Sequence, residues 1–278
     1  MNITLWGTRG SLATPGPECV YYGGNTSCVQ VTGADGSVLV LDAGTGIRRL
    51  GLALPRELER VDILLTHLHM DHLQGLGFFL PLRKPNVRVH IWGPASTTLH
   101  LHARLSRYFS PPLFPIFLRD VEAQLTLHEV PRGPIEIGAF QITAALVCHP
   151  DPTVGFRIQE NDAVVTFLPD HEPALGTRKF PIAPEWTSGY ALARDADLLI
   201  HDAQYTDAEY VSRVGWGHSA IKDALAFAQL AQVKHLVPFH HDPSHSDQEL
   251  DELYAQLLEE MQLAFPVTPG KEGAQFEL

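Results

Sequence analysis

Thr66-His67-Leu68-His69-Met70-Asp71-His72 sets four groups able to bind a metal within six residues, directly after the apolar run Val61 to Leu65. Val61 to Leu65 predicts a buried strand, and a turn containing Gly75 follows, so the histidines sit on the loop at the strand's carboxyl end. Open α/β folds place their sites there. Alternate side chains of an extended segment point the same way, so His67 and His69 can grip one ion while Asp71 and His72 turn toward a second. Neutral imidazole and carboxylate are the donors zinc takes in an open site, and they also suit manganese or iron.

The chain around this segment has 278 residues, of which 45% are hydrophobic and 19% charged. That composition belongs to a folded protein rather than a disordered one. The formal charge of −12 repels a nucleic-acid backbone unless a local basic patch or bound metal attracts it, so a small anionic substrate fits more easily. Met-Asn-Ile-Thr-Leu-Trp-Gly at the start carries no basic region followed by an apolar stretch, and no apolar run reaches the length of a membrane span. These features predict a cytoplasmic protein. Cys19, Cys28 and Cys148 are too few and too scattered for a disulfide framework or a structural zinc site. Histidine, with 15 copies, is the unusual count.

Strands joined by tight turns are predicted at Ile3 to Trp6, Cys28 to Thr32 and Ser37 to Leu41, with Asp35-Gly36 as a hairpin turn. Val87 to Trp92 reads as a strand and Ser96 to Tyr108 as a helix, ended by Ser110-Pro111-Pro112-Leu113-Phe114-Pro115, a candidate lid. Alternation between Gln124 and Leu168 predicts several strands of a second sheet, with a turn at Glu160-Asn161-Asp162. Beyond it come a strand at Leu198 to Ile200, a helix opening near Ser219, a strand at His235 to Phe239 and a helix from Asp247 to about Leu263. Ser246 and Glu249 form a capping-box pattern for that last helix, and Leu250, Tyr254, Leu257 and Met261 make its apolar stripe. Nothing marks a linker, so one α/β domain over residues 1–278 is expected.

The pattern His67-x-His69-x-Asp71-His72 after a buried strand resembles the signature of the metallo-β-lactamase superfamily. The resemblance implies a four-layer αββα sandwich that binds two divalent metal ions, most often zinc. Val40-Leu41-Asp42-Ala43-Gly44-Thr45-Gly46 looks like the superfamily's first motif, which makes Asp42 a support for the metal loop rather than a ligand. His149 looks like the third histidine of the first metal, and Asp170 like the carboxylate that bridges both metals. The last ligand should follow the strand ending at Phe239, where His240 is favoured over His241 and His245. The second ion would then take Asp71, His72 and His240, with Asp71 also counted in the catalytic set.

Three further stretches look like ribonuclease Z and its phosphodiesterase relatives: Gly7-Thr8-Arg9-Gly10-Ser11 with Tyr22-Gly23-Gly24-Asn25-Thr26-Ser27, then His201-Asp202-Ala203, then Gly217-His218-Ser219-Ala220. In ribonuclease Z the second reads His-Glu-Ala, so Asp202 and His218 inherit roles near the scissile phosphate with a shorter carboxylate. The expected activity is hydrolysis of a small phosphodiester by water held between two ions, in a homodimer. No long basic insertion of the kind ribonuclease Z uses to hold tRNA is present, so tRNA is not the expected substrate. A carbonyl-directed hydrolase acting on a lactone, thioester or lactam, and a non-enzymatic carrier of a small ligand, are the alternatives.

Overall fold

A computed structural model describes residues 1–174, 180 and 183–278. Its strands are β1 (Asn2–Gly7), β2 (Cys28–Thr32), β3 (Val38–Leu41), β4 (Arg60–Leu64), β5 (Arg88–Gly93), β6 (Gln124–Glu129), β7 (Ile135–Ile137), β8 (Phe140–Leu146), β9 (Val154–Glu160), β10 (Ala163–Leu168), β11 (Leu198–Asp202), β12 (Leu236–Phe239) and β13 (Gln275–Glu277). The helices are α1 (Ile47–Ala53), α2 (Leu101–Tyr108), α3 (Tyr190–Ala193), α4 (Asp207–Tyr210), α5 (Ile221–Leu230) and α6 (Asp247–Met261).

Two mixed sheets form, one in the order β13-β1-β2-β3-β4-β5-β6 and the other β12-β11-β10-β9-β8-β7. The alternation of the strand sequences explains why they stack. In β3, Val38 and Val40 pack outward with Ile47 and Leu50 of α1, while Leu39 and Leu41 pack inward between the sheets. In β10, Val165 and Phe167 face the inner core, while Val164 and Leu168 face α3, α5 and α6. Strands buried on both faces need a cover on each side, and the result is helix, sheet, sheet, helix. This is the αββα sandwich, with three apolar layers, each side chain in them contributing about 1.5–3 kcal/mol.

Gln124 to Glu129 does not belong to the second sheet that its alternation suggests. It pairs parallel to β5 and extends the first sheet, with Arg88 opposite Gln124 and Gly93 opposite Glu129. The second sheet starts only at β7. Alternation reports that a segment is a strand but not which neighbour it joins. β13, unmarked in the sequence, pairs antiparallel to β1. Other boundaries shift slightly: α2 begins at Leu101 rather than Ser96, α5 at Ile221 rather than Ser219, and α6 ends at Met261. The capping box at Ser246 and Glu249 is present, and Leu250 and Tyr254 are the buried members of the α6 stripe.

Parallel runs β3-β4-β5 and β10-β11-β12 aim their carboxyl ends the same way. Leu41 lies opposite Leu64, and Asp202 opposite Phe239, so the residues after these strands converge at one end of the sandwich.

Candidate metal centre

Asp42, the Thr66 to His72 loop, Asp170 and His240 all follow strand ends, and His149 follows the strand end of β8. Two groups of donor atoms result, each with all atoms within 4.8 Å of one another: His67, His69, His149 and Asp170, and then Asp71, His72, Asp170 and His240. Asp170 belongs to both, one oxygen to each. Its Oδ2 is 3.7 Å from the Nε2 atoms of His67 and His149. Its Oδ1 is 2.9 Å from Nε2 of His72 and 3.3 Å from Nε2 of His240. Oδ2 of Asp71 is 3.1 Å from those same two imidazole nitrogens.

What orients the rings is a set of acceptors behind them. Nδ1 of His72 donates to Asp42 Oδ2 at 2.7 Å, that of His149 to the Gly217 carbonyl at 2.8 Å, and that of His240 to Gln204 Oε1 at 3.0 Å. Nδ1 of His67 meets the Thr66 hydroxyl at 3.0 Å, and that hydroxyl in turn donates to Asp42. A proton fixed on Nδ1 leaves the Nε2 lone pair of a neutral ring facing the cluster, which is the tautomer a metal requires. Asp42 also accepts from the Thr66 amide and the Ser27 hydroxyl, which ties the end of β3 to the loop that carries the histidines.

The donor set fits cations. Nε2 of His67 is buried with no hydrogen-bond partner, and Oδ1 of Asp170 has no donor aligned with it despite the short distance to His72. Burial and the neighbouring imidazole of His72 hold His67 well below the usual histidine range, and burial likewise lowers His149. Burial also disfavours a charge on His72, yet the carboxylates of Asp170, Asp71 and Asp42 raise it well above that range. Without a cation, the carboxylates draw a proton onto His72. A divalent ion supplies that positive charge without one.

Beside this centre, Nδ1 of His218 lies 2.7 Å from Asp202 Oδ2 and 3.8 Å from Asp170 Oδ2. His218 stacks on His240 with centroids 5.0 Å apart, and Asp202, His218 and His240 form a third donor group. Asp202 is fixed by the amides of Gln204 and Ser219, both 3.1 Å from Oδ1. Burial opposes a charge on His218, but Asp202, Asp170 and Asp71 outweigh it and raise its pKa to about 9.

Of the three histidines after β12, only His240 enters the cluster. His241 turns away to donate to the Gly270 carbonyl, and His245 faces Glu209 at 3.1 Å. His240 adopts a positive φ of 62° and Asp42 one of 59°, a strained left-handed conformation that recurs at functional sites. A side chain at Gly10 would come within 2.3 Å of the His240 ring, so glycine there is what leaves room for the imidazole.

Gln204 and Glu172 brace the cluster without any sequence signal of their own, and Ser11, which closes the Gly7 to Ser11 stretch, does so through its amide, which donates to Asp71 Oδ2 at 2.8 Å. Glu172 accepts from the amides of Gly215 and Gly217 and from the Tyr210 hydroxyl at 2.6 Å. It therefore pins the loop whose Gly217 carbonyl orients His149 and whose next residue is His218. Glu172→Ala should cost about 2–3 kcal/mol, because a buried hydrogen-bonded carboxylate is lost and its donors are left unpaired. Urea unfolding that shows a loss below about 0.5 kcal/mol, the scatter of ordinary surface changes, would count against this role.

Comparison with known proteins places the chain. Residues 38–241 match the family model described as Beta-lactamase superfamily domain. Ribonuclease Z of Thermococcus onnurineus is 26% identical, over 74% of this chain and 76% of that protein. Ribonuclease Z of Gemmatimonas aurantiaca is 25% identical over 91% and 90%. Among solved structures, the metallo-β-lactamase fold protein YhfI from Bacillus subtilis superposes with a TM-score of 0.71 at 19% identity, covering 100% of this chain and 98% of its own. Human tRNase Z, short form, superposes at 0.69 with 22% identity, covering 100% and 99%. With its matched motifs, its αββα sandwich and its ribonuclease Z relatives, the chain belongs to the metallo-β-lactamase superfamily, in the ribonuclease Z-like branch.

Proposed function

We propose that this protein hydrolyses small phosphodiesters, such as a nucleotide ester, with two divalent ions held by His67, His69, His149 and Asp170 on one side and Asp71, His72, Asp170 and His240 on the other. The observation that carries the reading is the Asp202–His218 pair at 2.7 Å, set against the shared Asp170. A hydrolase that attacks a carbonyl needs no such pair. The ions, when bound, neutralise phosphoryl oxygens and lower the pKa of an attacking water. His218, held by Asp202, presents its other nitrogen to the leaving oxygen or to charge on the phosphorane. Asp71, anchored by the Ser11 amide, holds its carboxylate well below the ordinary range against burial because His72 and His240 face it.

Two zinc ions per chain, a cytoplasmic setting and a homodimer are parts of the same reading. A small substrate rather than tRNA is supported by 32 acidic against 20 basic residues. The test is a substrate panel run on protein whose metal content is measured in the same sample. Two ions per chain with hydrolysis of bis(p-nitrophenyl) phosphate or cyclic nucleotides, and little of a tRNA precursor, is the expected outcome. Opening of lactone, thioester or lactam with phosphodiesters untouched sinks the assignment, and fewer than one tightly held ion points to a carrier.

A further inference from the structure

We propose that the cavity beside His69 binds the non-reacting arm of the substrate, and that this arm is an apolar, ring-bearing group carrying a second oxyanion paired with Arg107. The inference rests on the phosphodiesterase reading and names the substrate class it acts on. The cavity measures about 540 Å³ and lies between the metal loop and α2. That is the size of a small-molecule site.

Its walls are largely hydrocarbon, from Leu68, Met70, Leu73, Tyr108 and Leu113. Tyr108 is fixed by its hydroxyl, which donates to the Gln74 carbonyl at 2.6 Å, so its ring is a rigid wall. Met70 and Leu113 remain 53% and 71% exposed at the mouth. Apolar side chains gathered around one opening are surface that a bound organic group removes from water, at about 25 cal/mol per Å². His69 belongs both to this wall and to the first donor group, so an arm seated here is continuous with a phosphorus at the metal centre.

Three lining side chains carry full charge, and two are already engaged. Arg104 donates to the Pro94 carbonyl and faces Glu129 at 3.9 Å. Asp151 faces His69 at 3.8 Å. Arg107, three residues further along α2 and on the same side as Arg104, has no ion pair or side-chain hydrogen bond among the described residues. In a protein with 32 acidic side chains, an unpaired guanidinium on the rim of an apolar cavity is free to take an outside anion. Its planar fork matches carboxylate or phosphate oxygens in pairs.

The probes are diphenylphosphinate and its analogues with a para-carboxylate or para-phosphonate on one ring, whose phosphorus–carbon bonds cannot be hydrolysed. Calorimetric titration into the protein as purified, with its metals, should show at least one anionic probe binding about tenfold more tightly than the plain one. Arg107→Ala, on an exposed face of the helix, should cancel that gain and leave the plain probe unchanged. Leu113→Ser should weaken all three. If plain and anionic probes bind alike, or if the gain survives in Arg107→Ala, the inference is overturned. These titrations do not depend on turnover, so a failure to hydrolyse any phosphodiester would sink the function proposed above and leave the cavity result readable by itself.

Discussion

His218→Ala should lower phosphodiester turnover by about 10²–10⁴-fold while the protein keeps its metals. The ring sits at the edge of the centre rather than inside it, with its Nδ1 2.7 Å from Asp202. Against the effect of burial, Asp202, Asp170 and Asp71 raise its pKa to about 9 and so favour the protonated ring. Bound cations act in the opposite direction, so the loaded site should titrate below that value, with Asp202 the nearest group favouring the protonated ring. Removing the imidazole should therefore reduce kcat far more than it changes KM. Steady-state kinetics and metal analysis on one sample decide the matter. Equal loss of turnover and of bound metal would make His218 a ligand of the Asp202, His218 and His240 group instead of an acid. Little change on a carbonyl substrate alongside a large loss on a phosphodiester would fit the proposed role.

Asp170→Ala should remove activity by more than about 10³-fold, beyond the loss of one electrostatic contact. It should also reduce tightly bound metal to one ion or fewer per chain. Each oxygen of this carboxylate faces a different donor group, so a single substitution opens both. Asp71→Ala is the comparison, since among the described donor groups its carboxylate belongs to the one with His72 and His240 and not to the one with His67, His69 and His149. Metal analysis that finds two ions at wild-type affinity in Asp170→Ala would show that Asp170 does not bridge.

Much of this arrangement is legible in the sequence. The donors from His67 to His72 were legible because metal binding requires particular atoms at close spacing, and a buried strand such as β4 announces where its loop must lie. His149 and Asp170 were legible only through their order relative to recognised motifs, since a lone histidine or aspartate at a strand end has many ordinary uses. Glu172 and Gln204 carry no signal in the sequence, and the Gly7 to Ser11 stretch does not announce that the Ser11 amide meets Asp71. They act through backbone groups or through one oxygen placed behind a ring, and such contacts depend on how distant loops meet. The misassignment of Gln124 to Glu129 has the same origin: period-2 alternation fixes which face a residue takes, while the partner strand follows from the chain's path through space.

His67 and His72 rise from the first sheet, whereas His149, Asp170 and His240 rise from the second, and the centre joins the two at one edge of their shared core. Ion occupancy and sandwich cohesion are therefore a single equilibrium seen from two sides. An ion held only by the folded form adds about 4 kcal/mol to stability at a thousand times its dissociation constant. The melting temperature should thus rise with free metal concentration, and a thermal scan becomes an affinity measurement. Substitutions deep between the sheets, far from any ligand, should then loosen the ions in proportion to the cohesion they remove.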